Sequence, residues 1–132
     1  MKLYSILTSI GIAIVLISCM KDSDETNSKC IEGEWRWVES VGGFGGWTIT
    51  PQTEGYEQTL KIEKNTYKEY INDSLVYTSD YTIGESSDTQ IGTESKTFIK
   101  IEKGTLAFTC IDKQLTLFEQ CYDCYKHTFI RR

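Results

Sequence analysis

A short stretch near the C-terminus, Cys121-Tyr122-Asp123-Cys124, has the spacing of a redox-active dithiol. Such a centre works because a helix N-terminus lowers the thiol pKa, usually within a βαβ unit. No helix pattern adjoins this stretch, so the pattern favours a structural disulfide. His127 adds a ligand type, but a closed zinc site takes four ligands and haem attachment requires histidine directly after the second cysteine. We therefore expect no metal and no cofactor.

Cys19 is predicted to carry a different modification. It closes the sequence Leu16-Ile17-Ser18-Cys19, at the end of an uncharged stretch that follows Lys2. The apolar run over residues 10–17 is too short to span a bilayer. Its position is typical of a bacterial lipoprotein signal peptide, which is cleaved before the cysteine that receives the lipid. We expect residues 1–18 to be the signal peptide and Cys19 to anchor the mature chain in a membrane.

The next segment, residues 19–29, is predicted to be a lipidated acidic tether. Its residues Lys21-Asp22-Ser23-Asp24-Glu25 contain no apolar side chain, as a solvated linker requires. They also resemble the acidic signal that sends some Gram-negative lipoproteins to the outer face of the outer membrane. Both interpretations stay open, and the expected location is the outer membrane, with exposure to the cell exterior under the second interpretation.

Charge and side-chain chemistry exclude two classes of function. The chain of 132 residues has a net charge of −5 and scattered basic residues, so a nucleic-acid partner is not expected. His127 is the one histidine, and no serine or cysteine nucleophile accompanies it in local sequence. The acidic residues Glu39, Glu69 and Asp80 lie on predicted strands and are expected to face solvent. We therefore predict that the protein is not an enzyme.

From residue 30 onward the chain is predicted to be one all-β domain, because β-branched and aromatic residues recur in short runs between turn residues. The connections are mostly tight, so neighbouring strands should pair antiparallel. Eight sequential strands then close into an up-and-down barrel, which removes exposed edges. The predicted strands are Glu34 to Ser40, Gln58 to Glu63, Thr66 to Ile71, Leu75 to Ile83, Thr97 to Glu102, Thr105 to Cys110, Leu115 to Glu119 and Cys124 to Arg131.

The entry to the first strand, Gly33-Glu34-Trp35, resembles the Gly-x-Trp signature of lipocalin-like (calycin) barrels. In that family the tryptophan plugs the closed end of an eight-stranded barrel, and an arginine near the end of the last strand packs across it. The resemblance implies that Trp35 is the plug and that Arg131 or Arg132 is the arginine. An arginine plane over an indole face is also a favourable contact.

Strand directions in this meander predict the disulfides. Cys30 precedes the first strand and Cys110 ends the sixth, so both lie at the same end of the barrel. Cys121 and Cys124 flank the turn between the last two strands at the opposite end. An exported domain favours oxidation, so we predict the pairs Cys30 with Cys110 and Cys121 with Cys124.

The long connection from Val41 to Tyr56 joins the first two strands at the end opposite Trp35. It contains Gly42-Gly43-Phe44-Gly45-Gly46-Trp47, which combines backbone freedom with two large aromatic side chains. In lipocalin-like proteins this loop overhangs the open mouth. Phe44 and Trp47 either cover a ligand or a partner surface, or fold inward over a filled barrel; both alternatives stay open.

Two functions follow. If the strand faces that carry Trp37, Tyr67 and Tyr77 point inward, these residues together with Phe44 and Trp47 are candidates to bind a small, mainly apolar ligand. The alternative is a surface module with a filled barrel, whose loops contact another protein or a glycan. In either case the membrane is contacted through the lipid on Cys19, and we expect a monomer.

Overall fold

The computed structural model describes residues 23–132. The predicted signal peptide, Cys19 and the start of the predicted tether lie outside these residues. The all-β class is confirmed, and two short helices, α1 and α2, accompany the strands. The elements are α1 (Ser23–Ile31), β1 (Gly33–Gly42), β2 (Trp47–Ile49), α2 (Pro51–Glu54), β3 (Gln58–Glu63), β4 (Thr66–Ile71), β5 (Ser74–Asp80), β6 (Thr82–Glu85), β7 (Thr97–Ile101), β8 (Gly104–Ile111), β9 (Gln114–Glu119) and β10 (Tyr125–Arg131).

The strands form a nearly closed antiparallel barrel. Their order is β5-β4-β3-β1-β10-β9-β8-β7-β6, and β2 adds to β1 outside this path. First and last long strands therefore pair, with Trp35 opposite Arg131 and Gly42 opposite Tyr125. Because β1 and β10 pair, hydrogen bonds connect every neighbour in this order of strands and leave one interruption, between β5 and β6.

The predicted number of eight strands is too low, for two reasons. The single strand predicted from Leu75 to Ile83 is interrupted at Tyr81, because its first part pairs with β4 and its second part pairs with β7. The buried Tyr81 lies at the break, where the chain passes from one neighbour to the other. In addition, β2 forms inside the predicted loop, where residues 47–49 pair back on residues 40–42.

A bulge in β1 changes which side chains face the barrel interior. Trp35 and Trp37 are buried, as expected for alternate residues on one face. Strict alternation would next turn Glu39 inward. The pairing with β10 shifts between Trp37 and Glu39, however, and a bulge of one residue reverses the facing of everything after it. Ser40 is consequently buried and Glu39 is not.

One end of the barrel is closed by Trp35 and Arg131. The guanidinium carbon of Arg131 lies 4.2 Å from the centroid of the Trp35 ring. Arg131 also donates from Nη1 to the Glu32 carbonyl at 2.8 Å and from Nη2 to the Cys30 carbonyl at 2.7 Å. The Trp35 indole donates to the Ile31 carbonyl at 2.7 Å. Backbone carbonyls at and just after the end of α1 thus accept hydrogen bonds from Trp35 and Arg131.

Of the two arginines that the resemblance allowed, Arg131 is the one over Trp35. Arg132 instead forms a surface ion pair with Glu34, at 2.9 Å between Nη1 and Oε1. The two residues separate because successive strand residues point to opposite faces.

Both predicted disulfides are present. Cys30 and Cys110 are bonded with 6.1 Å between their Cα atoms, and this bond ties the end of α1 to β8 at the closed end. Cys121 and Cys124 are bonded with 5.3 Å between their Cα atoms, in the connection between β9 and β10. The strand directions of the meander therefore predicted this pairing correctly.

Helix α1 occupies part of the segment expected to be a tether. Its nine residues, Ser23–Ile31, showed no apolar period in the sequence. Ile31 is buried in the barrel core, and α1 packs against β6 and β8. The helix depends on these tertiary contacts, because an isolated helix of this length is marginal in water.

Gly33 is expected to be required for the packing of Arg131 against Trp35. Its φ is +140°, and a Cβ there would overlap Nη1 of Arg131. Gly33→Ala should lower the free energy of unfolding by about 3 kcal/mol, because backbone strain adds to displacement of a guanidinium that already has fixed partners. Urea unfolding followed by circular dichroism measures this effect.

Gly104 is the matched control for Gly33. Its φ is +144°, but no atom lies within 4 Å of a Cβ placed there. Gly104→Ala should therefore cost only the backbone strain, about 1.5 kcal/mol. Equal losses in the two variants would mean that the overlap with Arg131 contributes nothing.

Candidate binding cavity

A cavity of about 630 Å³ lies in the barrel at the end opposite Trp35. Its base consists of buried apolar side chains of β7, β9 and β10, namely Ile101, Leu117 and Phe129. Polar groups from several strands surround this base. The remaining lining residues are Gln58, Tyr67, Glu69, Lys103, Gly104, Thr105, Leu106, Glu119, Gln120, Cys121, Cys124 and His127.

One polar wall is formed by Glu69, Tyr67 and Lys103. The Tyr67 hydroxyl donates to Oε1 of Glu69 at 3.2 Å, and Lys103 Nζ donates to Oε2 at 2.8 Å. Lys103 Nζ also lies 3.7 Å from the ring centroid of Tyr77. Burial raises the pKa of Tyr67 well above its usual value, and the charge of Glu69 raises it further. Tyr67 is therefore a neutral donor across the physiological range.

A second polar part of the lining is held by a chain of hydrogen bonds that begins in the core. Trp37 Nε1 donates to Ser40 Oγ at 2.9 Å, and Ser40 Oγ lies 2.6 Å from His127 Nδ1. His127 Nε2 lies 3.0 Å from Oε1 of Glu119, whose Oε2 accepts from the Tyr125 backbone N–H at 3.0 Å. Two assignments of protons satisfy these contacts: Ser40 donates to Nδ1 of a neutral His127 that donates from Nε2 to Glu119, or a protonated His127 donates to both Ser40 and Glu119.

A serine, a histidine and a carboxylate in sequence are also the parts of a nucleophilic catalytic site. Ser40, however, is only 1% exposed and does not line the cavity, and its hydroxyl oxygen is occupied by Trp37. A molecule in the cavity would meet His127 and Glu119 but not Ser40. The hydrogen bonds fix the orientation of His127 and Glu119 in the cavity wall. They do not present Ser40 as a nucleophile to a molecule in the cavity.

The predicted binding residues do not all meet in the cavity. Tyr67 lines it, and Tyr77 packs edge-on against Tyr67 at 6.2 Å between ring centroids. Trp37 is buried outside the lining and stacks on Tyr56. Phe44 and Trp47 also lie outside the lining, with 94% and 65% of their surface exposed.

The segment predicted to overhang the mouth is an ordered hairpin followed by a helical turn. After the turn at residues 43–46, β2 returns along β1, and the ring of Trp47 lies across Gly45. Thr50 then caps α2 through a reciprocal pair of hydrogen bonds with Thr53. Phe44 and Trp47 are thus presented to solvent by a paired strand and its turn.

Sequence reasoning missed the charged lining. Glu69 was expected to face solvent, which is wrong: its side chain is only 16% exposed and lines the cavity. Lys103 and Glu119 were not singled out, because Lys103 lies in a turn and Glu119 at the end of a strand. Their convergence depends on the stagger of distant strands, for which the local sequence carries no signal.

Metal and membrane criteria give two further findings. In residues 23–132, no three His, Cys, Asp or Glu side chains come close enough together to hold a metal ion. No helix in the same part of the chain has the length and hydrophobicity needed to cross a bilayer.

Cys121 and Cys124 line the rim of the cavity as a disulfide.

No protein-family model, curated protein or solved structure matches this chain. The comparisons therefore identify no family for this chain. Function has to be argued from the cavity itself.

Ser40 is expected to stabilise the fold through its hydrogen bonds with Trp37 and His127. Ser40→Ala should lower the free energy of unfolding by about 2 kcal/mol, because the buried indole N–H of Trp37 and Nδ1 of His127 both lose their partner. Urea unfolding measures the loss. Ser74→Ala, at an exposed strand position, should change stability by less than about 0.5 kcal/mol. Equal effects of the two substitutions would contradict the network.

Proposed function

We propose that this protein is a membrane-anchored, lipocalin-like lipoprotein that binds a small molecule in the barrel cavity. The observation that carries the proposal is the cavity of about 630 Å³ opposite the Trp35 plug. Its size falls within the range of small-molecule sites, about 300–1,000 Å³. The ligand is small and mainly apolar, with a polar end.

The lining supports this ligand class. Leu117 and Phe129 provide a buried apolar base, while Tyr67, Glu69 and His127 supply hydrogen-bonding groups on the walls. A few oriented polar groups over an apolar surface are typical of specific small-molecule sites. The hydrogen bonds that already hold these side chains reduce the entropy lost on binding.

The proposed anchor is a lipid on Cys19 after removal of residues 1–18. The acidic residues that follow Cys19 support attachment to the outer membrane with the domain facing the cell exterior. The domain acts as a monomer in this proposal, and its cavity is open to solutes from outside the cell.

An alternative function is favoured by exposed aromatic side chains. Phe44, Trp47 and Tyr122 are 94%, 65% and 92% exposed. Phe44 and Trp47 belong to the β1–β2 hairpin, and Tyr122 belongs to the β9–β10 connection. Because Gly42 of β1 pairs with Tyr125 of β10, the hairpin and the connection are neighbours. Aromatic residues presented in this way are enriched where proteins contact partners. In this alternative the loops contact another protein or a glycan.

Native mass spectrometry of the full chain, purified from the membrane fraction, tests the proposal. We expect a co-purified small molecule, and the denatured mass should show lipid on Cys19. Thr105→Trp should lose the small molecule, because Thr105 lines the cavity and tryptophan would fill its mouth. Thr78→Trp, at an exposed position outside the lining, should retain it.

Two results would count against the cavity. A ligand-free native mass that stays ligand-free after incubation with a mixed lipid and metabolite extract would favour the surface-interaction alternative. Equal retention of the small molecule by Thr105→Trp and Thr78→Trp would place it outside the cavity.

A further inference from the structure

We infer that the ligand of this cavity is a cation, a protonated amine on an apolar body. The inference rests on the proposed function and adds the charge of the ligand. Within the described residues, the charged side chains that line the cavity are Glu69, Lys103 and Glu119. Their partners differ, and this difference decides which charge a ligand should bring.

The positive charge of Lys103 already has partners. Its Nζ donates to Glu69 at 2.8 Å and lies over the Tyr77 ring at 3.7 Å, where the π-electrons favour a cation. The Tyr77 hydroxyl also accepts from the Lys103 backbone N–H at 3.2 Å. An anionic ligand would have to pull Lys103 from these contacts, so this lysine is a poor receptor for a carboxylate.

The carboxylate of Glu119 forms no ion pair with a lysine or arginine among the described residues. Its Oε1 lies 3.0 Å from His127 Nε2, and its Oε2 accepts from the Tyr125 backbone N–H at 3.0 Å. A carboxylate has about four acceptor positions, and two remain for a ligand. With Glu69 offset by Lys103 and with His127 neutral, the lining carries one net negative charge.

An ammonium group is the complement of this wall. It would donate charge-assisted hydrogen bonds to Glu119 while the apolar body of the ligand contacts Leu117 and Phe129 at the base. A neutral alcohol of the same shape would bury the same apolar surface without the charge. A carboxylate would add repulsion from Glu119.

Three probes with the same alkyl chain test this inference: hexylammonium, hexanol and hexanoate. Isothermal titration would use the full chain in lipid nanodiscs, with empty nanodiscs as the blank. We expect hexylammonium to bind about tenfold more tightly than hexanol, and hexanoate to bind more weakly than hexanol. This series needs no substitution, so it does not depend on the folding of any variant.

Glu119→Gln assigns the preference to one side chain. The variant should bind hexylammonium and hexanol with affinities within about twofold of each other, because the amide keeps the shape but removes the charge. Glu34→Gln is the matched control, since Glu34 pairs with Arg132 outside the cavity and its loss should leave the tenfold preference intact.

The outcomes separate this inference from the proposed function. Binding of hexanol with no preference for hexylammonium, or a preference for hexanoate, would overturn the inference and leave the cavity a binding site. A preference that survives in Glu119→Gln would overturn the assignment to Glu119. Failure of all three probes to bind would count against both proposals.

Discussion

Trp35→Ala is expected to lower the free energy of unfolding by about 4 kcal/mol, the cost typical of truncating a buried tryptophan. Trp35 has no exposed surface and lies at the centre of the closed end. Its removal leaves a cavity, takes the indole donor from the Ile31 carbonyl and exposes one face of the Arg131 guanidinium. Urea unfolding monitored by far-ultraviolet circular dichroism measures the loss.

Trp47→Ala provides the matched control for this experiment. The same side chain is removed, but Trp47 is 65% exposed and belongs to the β1–β2 hairpin outside the barrel interior. Its truncation should cost less than about 1 kcal/mol, as is usual at surface positions. Similar losses in the two variants would show that the closed end contributes no special stability.

Replacing Cys30 and Cys110 together by serine is expected to lower the free energy of unfolding by about 4 kcal/mol. The bond joins residues 80 positions apart, so it restricts most of the domain in the unfolded state. In the chain-entropy account the stabilisation grows with the length of the closed loop. Urea unfolding of this double variant and of the parent protein, both without reductant, measures the difference in the free energy of unfolding.

The second disulfide is the control for loop length. Cys121 and Cys124 are separated by 3 positions, so the same account predicts a loss of only about 2 kcal/mol when both are replaced by serine. A larger loss at Cys121 and Cys124 than at Cys30 and Cys110 would contradict the loop-length argument. It would indicate instead that the bond acts through the folded rim of the cavity.

These two expected effects lie at one end of the barrel, and the candidate site lies at the other. Trp35, Arg131 and the bond between Cys30 and Cys110 join β1, β8, β10 and α1 into a closed base. The strands that continue from this closed end form the walls of the cavity. A stable closed end therefore allows the open end to carry the largely buried charge of Glu69, paired with the exposed Lys103, at a tolerable cost in stability.

The sequence by itself determined the all-β class, most of the strands and their antiparallel order, but not β2 or the division of β5 from β6. Short β-branched and aromatic runs separated by tight turns allow little else than a meander, since each turn specifies an antiparallel neighbour. Once direction alternates, the positions of Cys30 and Cys110 predict their bond. The family resemblance left Arg131 and Arg132 as alternatives, and the structure places Arg131 over Trp35. Steric overlap of a Cβ with Arg131 explains why glycine is present at position 33.

Only the tertiary structure decided which side chains face the cavity. The bulge after Trp37 turns Ser40 inward, and the break at Tyr81 divides one predicted strand between two neighbours. The facing of a residue depends on its register with a distant strand, and a shift of one residue reverses it. Glu69 and Glu119 therefore meet in one cavity through long-range pairing, which no local pattern in the sequence encodes.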